Sequence, residues 1–268
     1  MAEGMKEQVY VDERPKEDFD KFHEWTRTHK PQWPYEVVRS ITTLGFFVPN
    51  RVKSIGEENV PGNGPAIFVP NHFSFLDHFY IGMAIRRKLQ FMAKSQIFSG
   101  GLLTFTFQHG GVFPVMRGKG DEEAFKTAKS ILARGGVVQL YAEGGRSRRL
   151  RPAREAKRGP GMLALETGEQ VVPVAIYGSQ FMRFVKQGRV PRVIVRYGKP
   201  LRFEKVVNPT KEQQLAASQI IFDRSLAMWD ELEAKFATPR QRADADCADE
   251  RAAAVGATGA EPPPASGQ

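Results

Sequence analysis

The chain has 268 residues, 41% hydrophobic and 26% charged, a balance that fits a globular protein and excludes an intrinsically disordered one. Its formal net charge of +9 demands acidic partners: nucleic acid, anionic lipid or a phosphorylated substrate. The lone cysteine, Cys247, excludes an internal disulfide and a cysteine metal site, and fits a reducing compartment.

Residues 1–18 are rich in charge and are expected to be mobile. Their charges, among them Glu3, Lys6, Glu7 and Asp12, predict no secretory leader. Phe19, Phe22 and Trp25 recur every three residues and predict a short helix over 18–29. Pro31 and Pro34 interrupt it. A second helix is expected from Tyr35, with Val37, Ile41, Leu44 and Val48 on one face, Phe46 and Phe47 at its end, and Arg39 and Arg51 flanking. Such a helix either packs on a core or lies in a membrane interface with its apolar face in lipid and its arginines at the headgroups. Segment 19–58 is therefore set apart as helical and potentially membrane-associating. No uninterrupted apolar segment reaches the ~20 residues that span a bilayer, so a membrane would be met from one side.

From residue 59, strands and helices alternate. Strands are predicted at 66–69, 89–93, 111–115, 137–141, 171–177 and 192–197, and helices at 75–86, 121–134 and 161–167. Asp121 is the expected N-cap of the second helix and Gly135 its stop. This alternation predicts a single α/β domain with a largely parallel central sheet flanked by helices. Pro173 argues for an edge position or a bulge in its strand. Thr210-Lys211-Glu212-Gln213 is a capping-box pattern, opening a long helix to about Phe236 with Leu215, Ile220, Phe222, Leu226 and Trp229 as core candidates. That helix closes a domain spanning 59–236. The tail 237–268, rich in Ala, Gly, Pro and Asp, is expected to be disordered.

Two sites follow apolar runs. Asn71-His72-Phe73-Ser74-Phe75-Leu76-Asp77 comes after 66–70. A neutral imidazole takes a proton from a hydroxyl near pH 7, and a carboxylate on its other nitrogen fixes the tautomer. Five residues of separation is about 140° around a helix. His72 and Asp77 therefore meet only if His72 precedes the helix and Asp77 lies within it, as a strand ending at Pro70 would arrange. The plain alternative has Asn71 and Ser74 capping the helix and His72 an ordinary polar residue. The second site, Glu143-Gly144-Gly145-Arg146-Ser147-Arg148, follows 137–141. Its two glycines alone are an ordinary turn.

Asn-His-x-Ser-x-x-Asp resembles the first signature of the glycerolipid acyltransferases, the 1-acylglycerol-3-phosphate acyltransferase family. Met92-Ala93-Lys94-Ser95 resembles the segment that follows. Gly111-Val112-Phe113-Pro114-Val115-Met116-Arg117 resembles the second block, Glu143 to Arg148 the third, and Val171-Val172-Pro173-Val174-Ala175 the fourth. Four blocks in family order over roughly residues 60–200 are far more specific than one motif. Gly145 replaces the common Thr, and Met116 stands where an acidic residue is usual.

The resemblance implies transfer of a fatty acyl group from acyl-CoA or acyl carrier protein to a hydroxyl of 1-acylglycerol-3-phosphate, giving phosphatidic acid. It implies His72 as base and Asp77 as its orienting partner. A direct attack on the thioester needs no acyl-enzyme, and Ser74 is expected to make a local backbone bond. Arg117 and Arg146 are the candidates for the acceptor phosphate, with Lys94 adding a point charge. Glu143 and Gly144 belong to the same site, Glu143 fixing an arginine or accepting from a glycerol hydroxyl. Alternatives are another lysophospholipid or glycolipid acceptor, or a non-catalytic protein that binds anionic lipid or nucleic acid. The basic run from Arg146 to Lys157 and Arg158 is a solvated loop, or meets anionic headgroups, CoA phosphates or an acidic carrier. No nucleic-acid signature accompanies it, so nucleic acid is not expected. His23, His29 and His109 lack metal-ligand spacing, and His78 is expected to point away from His72. No metal and no cofactor are expected. Phe98, Leu102, Leu103, Phe105 and Phe107 are read as packing or as the wall of an acyl groove. The expected location is the cytoplasmic face of a membrane, peripheral or monotopic.

Overall fold

The computed structural model describes residues 12–116, 121–147 and 149–258. A seven-stranded sheet has the order β1-β7-β6-β2-β5-β3-β4. The strands are β1 (Lys53–Ile55), β2 (Ala66–Pro70), β3 (Leu89–Lys94), β4 (Val112–Val115), β5 (Val137–Gln139), β6 (Val171–Tyr177) and β7 (Ile194–Tyr197). All neighbours are parallel except β6 and β7. β2 and β6 are buried along their whole length, which is why they read as continuous apolar runs rather than alternating ones.

The helices are α1 (Asp20–Thr28), α2 (Trp33–Thr42), α3 (Asp77–Met83), α4 (Gly101–His109), α5 (Glu122–Ala133), α6 (Gly159–Thr167), α7 (Lys211–Phe236) and α8 (Pro239–Thr258). Alternate residues of β2 serve the two layers, as period 2 requires. Ile67 and Val69 pack with α5, α6 and α7 through Ile131, Leu163 and Phe222. Ala66 and Phe68 pack with α3 through Tyr80 and Ile81. Gly161 admits the close approach of α6 to α7: a Cβ there would lie 2.0 Å from the Gln214 carbonyl oxygen.

Several expectations are corrected. Of the two positions weighed for Pro173, the edge is ruled out, since β6 is an interior strand, and the bulge is present. Val171 pairs with Leu201 and Val174 with Tyr197, so three steps along β6 oppose four on the other side. This bulge absorbs the missing N–H. On α7, whose capping box at Thr210 and Gln213 is formed, Leu215 and Ile220 are exposed, while Ile221 and Leu232 join Phe222, Leu226 and Trp229 inside. β1 and α4 went unpredicted. The expected disorder of the tail does not hold over 239–258, where α8 forms. Local composition undersells this helix because its stability is tertiary: Ala245 is buried, and Asp244, Asp246 and Asp249 pair with arginines of the main body. The expected mobility of 1–18 is corrected where the chain is described. Asp12 is buried, and Arg14 binds it while donating to the carbonyls of Phe98 and Ser95.

Candidate active site

The site lies at the C-terminal ends of β2 and β5, where an open α/β sheet leaves a crevice. Asn71 continues β2 with its side chain. Its Nδ2 donates to the Ile176 carbonyl at 3.0 Å and its Oδ1 accepts from the Ile176 N–H at 2.8 Å. This replaces the capping role weighed for it and fixes the chain just before His72. Phe73, on the other side, packs against Trp229 of α7.

His72 and Asp77 meet as the spacing predicts. Nδ1 of His72 is 2.9 Å from Oδ2 of Asp77, the first residue of α3. The same oxygen accepts from the N–H groups of Phe73 at 2.7 Å and Ser74 at 2.8 Å. Asp77 therefore orients both the ring and the turn that carries it. Both side chains are buried. Ser74 Oγ accepts from the Leu76 N–H at 3.2 Å, a local backbone bond of the kind expected.

The loop after β5 closes the site. Oε1 of Glu143 accepts from the His72 N–H at 2.9 Å, and the Ser147 N–H donates to the His72 carbonyl at 2.7 Å. Burial pushes the Glu143 carboxyl up to about 8. The N–H groups of His72 and Ala153 pull it down, and the charge on Asp77 pushes it further up. Glu143 thus braces the turn that carries His72. Gly144 has φ +70°, and a Cβ there would press on Lys157 Cγ at 3.2 Å. The turn therefore needs glycine.

A cavity of about 650 Å³ opens beside this loop, lined by Glu143, Gly144, Arg146 and Lys157 and also by Met92 and Met116. Neither Arg146 nor Lys157 has a carboxylate partner among the described residues. Lys94, at the end of β3, is not part of the lining. Arg117 lies outside the described residues. The basic run is not a free solvated loop. Arg151 binds Glu233, Asp246 and Asp249, and Arg154 holds Asp230 through two 2.9 Å bonds. Lys157 was one charge in a run by sequence; only the fold singles it out.

Two further residues escaped the sequence reading. The Tyr141 ring stacks on His72 at 3.7 Å between centroids and 13° between planes. His78, expected to point elsewhere, sits edge-on to His72 at 5.4 Å. α3 starts so close to His72 that its first two residues, Asp77 and His78, both meet the imidazole. Behind His78 a narrow apolar cleft runs between α2, α3 and α4, lined by Val38, Phe79, Met83, Phe91 and Phe107. Outside it, Val37, Ile41, Leu44 and Val48 are exposed on α2 and the π-helical turn that follows. Leu102, Leu103 and Phe105 of α4 are exposed too, and α2 and α4 are in contact. Phe46 turns inward onto the α3 core. Among the described residues, no helix is long and apolar enough to cross a membrane, and no three His, Cys, Asp or Glu side chains gather into a metal-holding group.

The sequence pattern of the family described as Acyltransferase matches residues 51–177. Over 143 residues the chain is 32% identical to a chloroplastic 1-acyl-sn-glycerol-3-phosphate acyltransferase of Arabidopsis thaliana, covering 52% of this chain and 39% of that one. Over 141 residues it is 29% identical to a 1-acyl-sn-glycerol-3-phosphate acyltransferase of Chlamydomonas reinhardtii, covering 52% and 41%. The match thus spans about two fifths of each relative's length. The crystal structure of the 1-acyl-sn-glycerophosphate acyltransferase PlsC from Thermotoga maritima superposes with a TM-score of 0.54 at 19% identity, over 82% of this chain and 91% of that one. That likeness is one of fold.

Proposed function

Because the chain belongs to the 1-acyl-sn-glycerol-3-phosphate acyltransferase family, we propose that it transfers a fatty acyl group from a thioester donor to the free hydroxyl of 1-acylglycerol-3-phosphate, forming phosphatidic acid. The observation that carries this reading is the buried His72–Asp77 pair beside a cavity lined by Arg146 and Lys157. Nε2 of His72 removes the hydroxyl proton as the alkoxide attacks the thioester carbonyl. Asp77 holds Nδ1 and steadies the imidazolium. The tetrahedral adduct collapses, the C–S bond breaks, and the proton on Nε2 passes to the departing thiolate. Arg146 and Lys157 bind the acceptor phosphate through charge-assisted bonds; Arg117 and Lys94 remain candidates for the same work. Glu143 supports the turn rather than the phosphate, because a carboxyl protonated up to about pH 8 neither repels the ligand nor pairs with a cation.

The exposed apolar face of α2 and α4 supports peripheral attachment to one side of a membrane, with the narrow cleft behind it admitting the start of an acyl chain. A longer chain lies between the two helices, partly in lipid. Burial of such side chains adds a salt-independent term to binding. Replacing Leu44 and Leu102 with Ser is expected to lower flotation with anionic vesicles at both low and high salt; unchanged flotation would move the membrane contact elsewhere.

The deciding assay uses purified protein, a series of lysolipid acceptors, and acyl-CoA or acyl carrier protein, with thiol release as readout. Preference for lysophosphatidic acid supports the reading. Turnover only with larger headgroups, which a 650 Å³ cavity has room for, would shift it to another lysophospholipid. No turnover with any acceptor, in protein that binds lipid, would favour a non-catalytic role.

A further inference from the structure

Asp77 holds His72 at Nδ1, on the edge of the imidazole. A second restraint is present. Tyr141 lies two residues beyond Gln139, a wholly buried member of β5. Nε2 of Gln139 donates to the Tyr141 hydroxyl oxygen at 2.8 Å, and His78 meets the Tyr141 ring edge-on at 5.0 Å. A ring tethered at its hydroxyl and flanked along its edge offers a fixed face, and that face lies against His72 at 3.7 Å.

We propose that Tyr141 is a positioning residue for the general base: its ring sets the plane of the His72 imidazole and stabilises the imidazolium formed as the acceptor hydroxyl loses its proton. The proposal rests on His72 acting as that base. The physical ground is differential. A neutral imidazole stacks on a phenol ring with little preference, whereas a cation is drawn to the ring's negative face. The interaction therefore strengthens as the proton arrives on Nε2, and only such strengthening accelerates the chemical step. It matters here because His72 is buried, and burial works against the charged form. Among the described residues, the titratable groups that meet His72 include Asp77 and His78 from α3, and Tyr141 and Glu143 from the segment after β5. Asp77 favours the charged ring at its edge; Tyr141 favours it at its face.

The test compares Tyr141→Phe, which keeps the face and loses the hydroxyl, with Tyr141→Leu and Tyr141→Met, which lose the face. In full-length protein, kcat and both KM values are measured across pH, and the His72 ring is titrated by nitrogen NMR without substrate. Tyr141→Phe is expected within about threefold of wild type. The Leu and Met variants are expected to lose on the order of tenfold or more in kcat, with each KM nearly unchanged. Their His72 titration should move about half to one pH unit lower, matching the loss of a cation–π contact. The NMR titration does not depend on acyl transfer, so it stands even if the assigned reaction is wrong, and His72→Ala tests that reaction separately. An unshifted His72 titration in both face-deleted variants overturns the proposal. So does a Phe variant as impaired as Leu, which would place the role in the hydroxyl. Should the Leu variant not fold, the Met variant, closer in length, carries the comparison.

Discussion

Two loops at the same end of the sheet are anchored by different means. The turn that carries His72, Asn71 to Asp77, is fixed from inside. Asn71 is bonded to β6, Asp77 Oδ2 gathers three donors, and Phe73 packs on Trp229. The loop from Glu143 to Arg158 also buries Leu150 and Ala156, but it adds partly exposed ion pairs that the first turn lacks, Arg151 and Arg154 with acids of α7 and α8. Buried hydrogen bonds at short range ignore salt, while half-exposed ion pairs are screened by it. The imidazole proposed as the base is thus held on the stiffer support, and the cations proposed to meet a phosphate are held on one that yields. Each of the following measurements strains that contrast, beginning with the largest effect.

Removing the proposed base strikes the stiff turn directly. His72→Ala is expected to cut turnover by about 10²–10⁴ while the protein stays folded. Asp77→Asn should also be severe, since an amide holds the wrong tautomer and replaces the oxygen that gathers three donors. A folded His72→Ala protein with near-normal turnover would dismantle the mechanism.

Arg146→Ala tests the yielding loop. Losing one charge-assisted phosphate bond costs about 1.5–3 kcal/mol, so KM for a phosphorylated acceptor should rise roughly 10- to 150-fold with kcat less affected. Kinetics with each substrate varied in turn read this out. A rise confined to the acyl donor would assign Arg146 to the donor.

The contrast also explains which parts were legible in the sequence. β2, β5 and β6 announced themselves as apolar runs because they are buried on both faces. His72 and Asp77 could be paired because only five residues separate them, a distance local geometry can judge. The supports of the second loop could not. Arg151 reaches Asp249 across 98 residues, into a tail whose Ala, Gly and Asp content reads as disorder. Lys157 is distinguished from its neighbours only by packing beside Gly144 in the cavity lining. Tyr141 looked like the end of a strand, and His78 like a residue on the far side of a helix. The apolar stripe of α2 was readable from its spacing, but its partner α4 was not, because α4 carries apolar residues on several sides.

Arg151→Gln should have a smaller effect than either site mutation. Exposed ion pairs contribute about 0–1 kcal/mol each, so a loosened loop should raise KM for the acceptor roughly two- to fivefold and leave kcat nearly alone. Salt near 1 M, where the Debye length falls to about 3 Å, should bring the wild type toward the variant's KM and change the variant less. If salt raises both KM values in parallel, the ion pairs do not hold the loop, and screening of the acceptor itself explains the response.

Glu143 bridges the two loops, since it belongs to the second and accepts from the N–H of His72 in the first. Its carboxyl titrates at about 8 in the folded protein against an ordinary value of 4.5. Below 4.5 both folded and unfolded chains hold the proton, and the group adds no pH dependence. Between 4.5 and about 8 the folded chain holds a proton that the unfolded chain has lost, so stability falls as pH rises through this window. Above about 8 both have lost it and the slope disappears. Glu143→Gln is neutral throughout and keeps an oxygen for the His72 N–H. Urea midpoints of the two proteins should therefore lie close at pH 5 and diverge up to pH 8, the variant gaining on the wild type. The gap should then stop widening. Parallel curves from pH 5 to 9 would mean that Glu143 is ionised in place, and the bridge between the stiff turn and the yielding loop would carry a full charge beside Asp77.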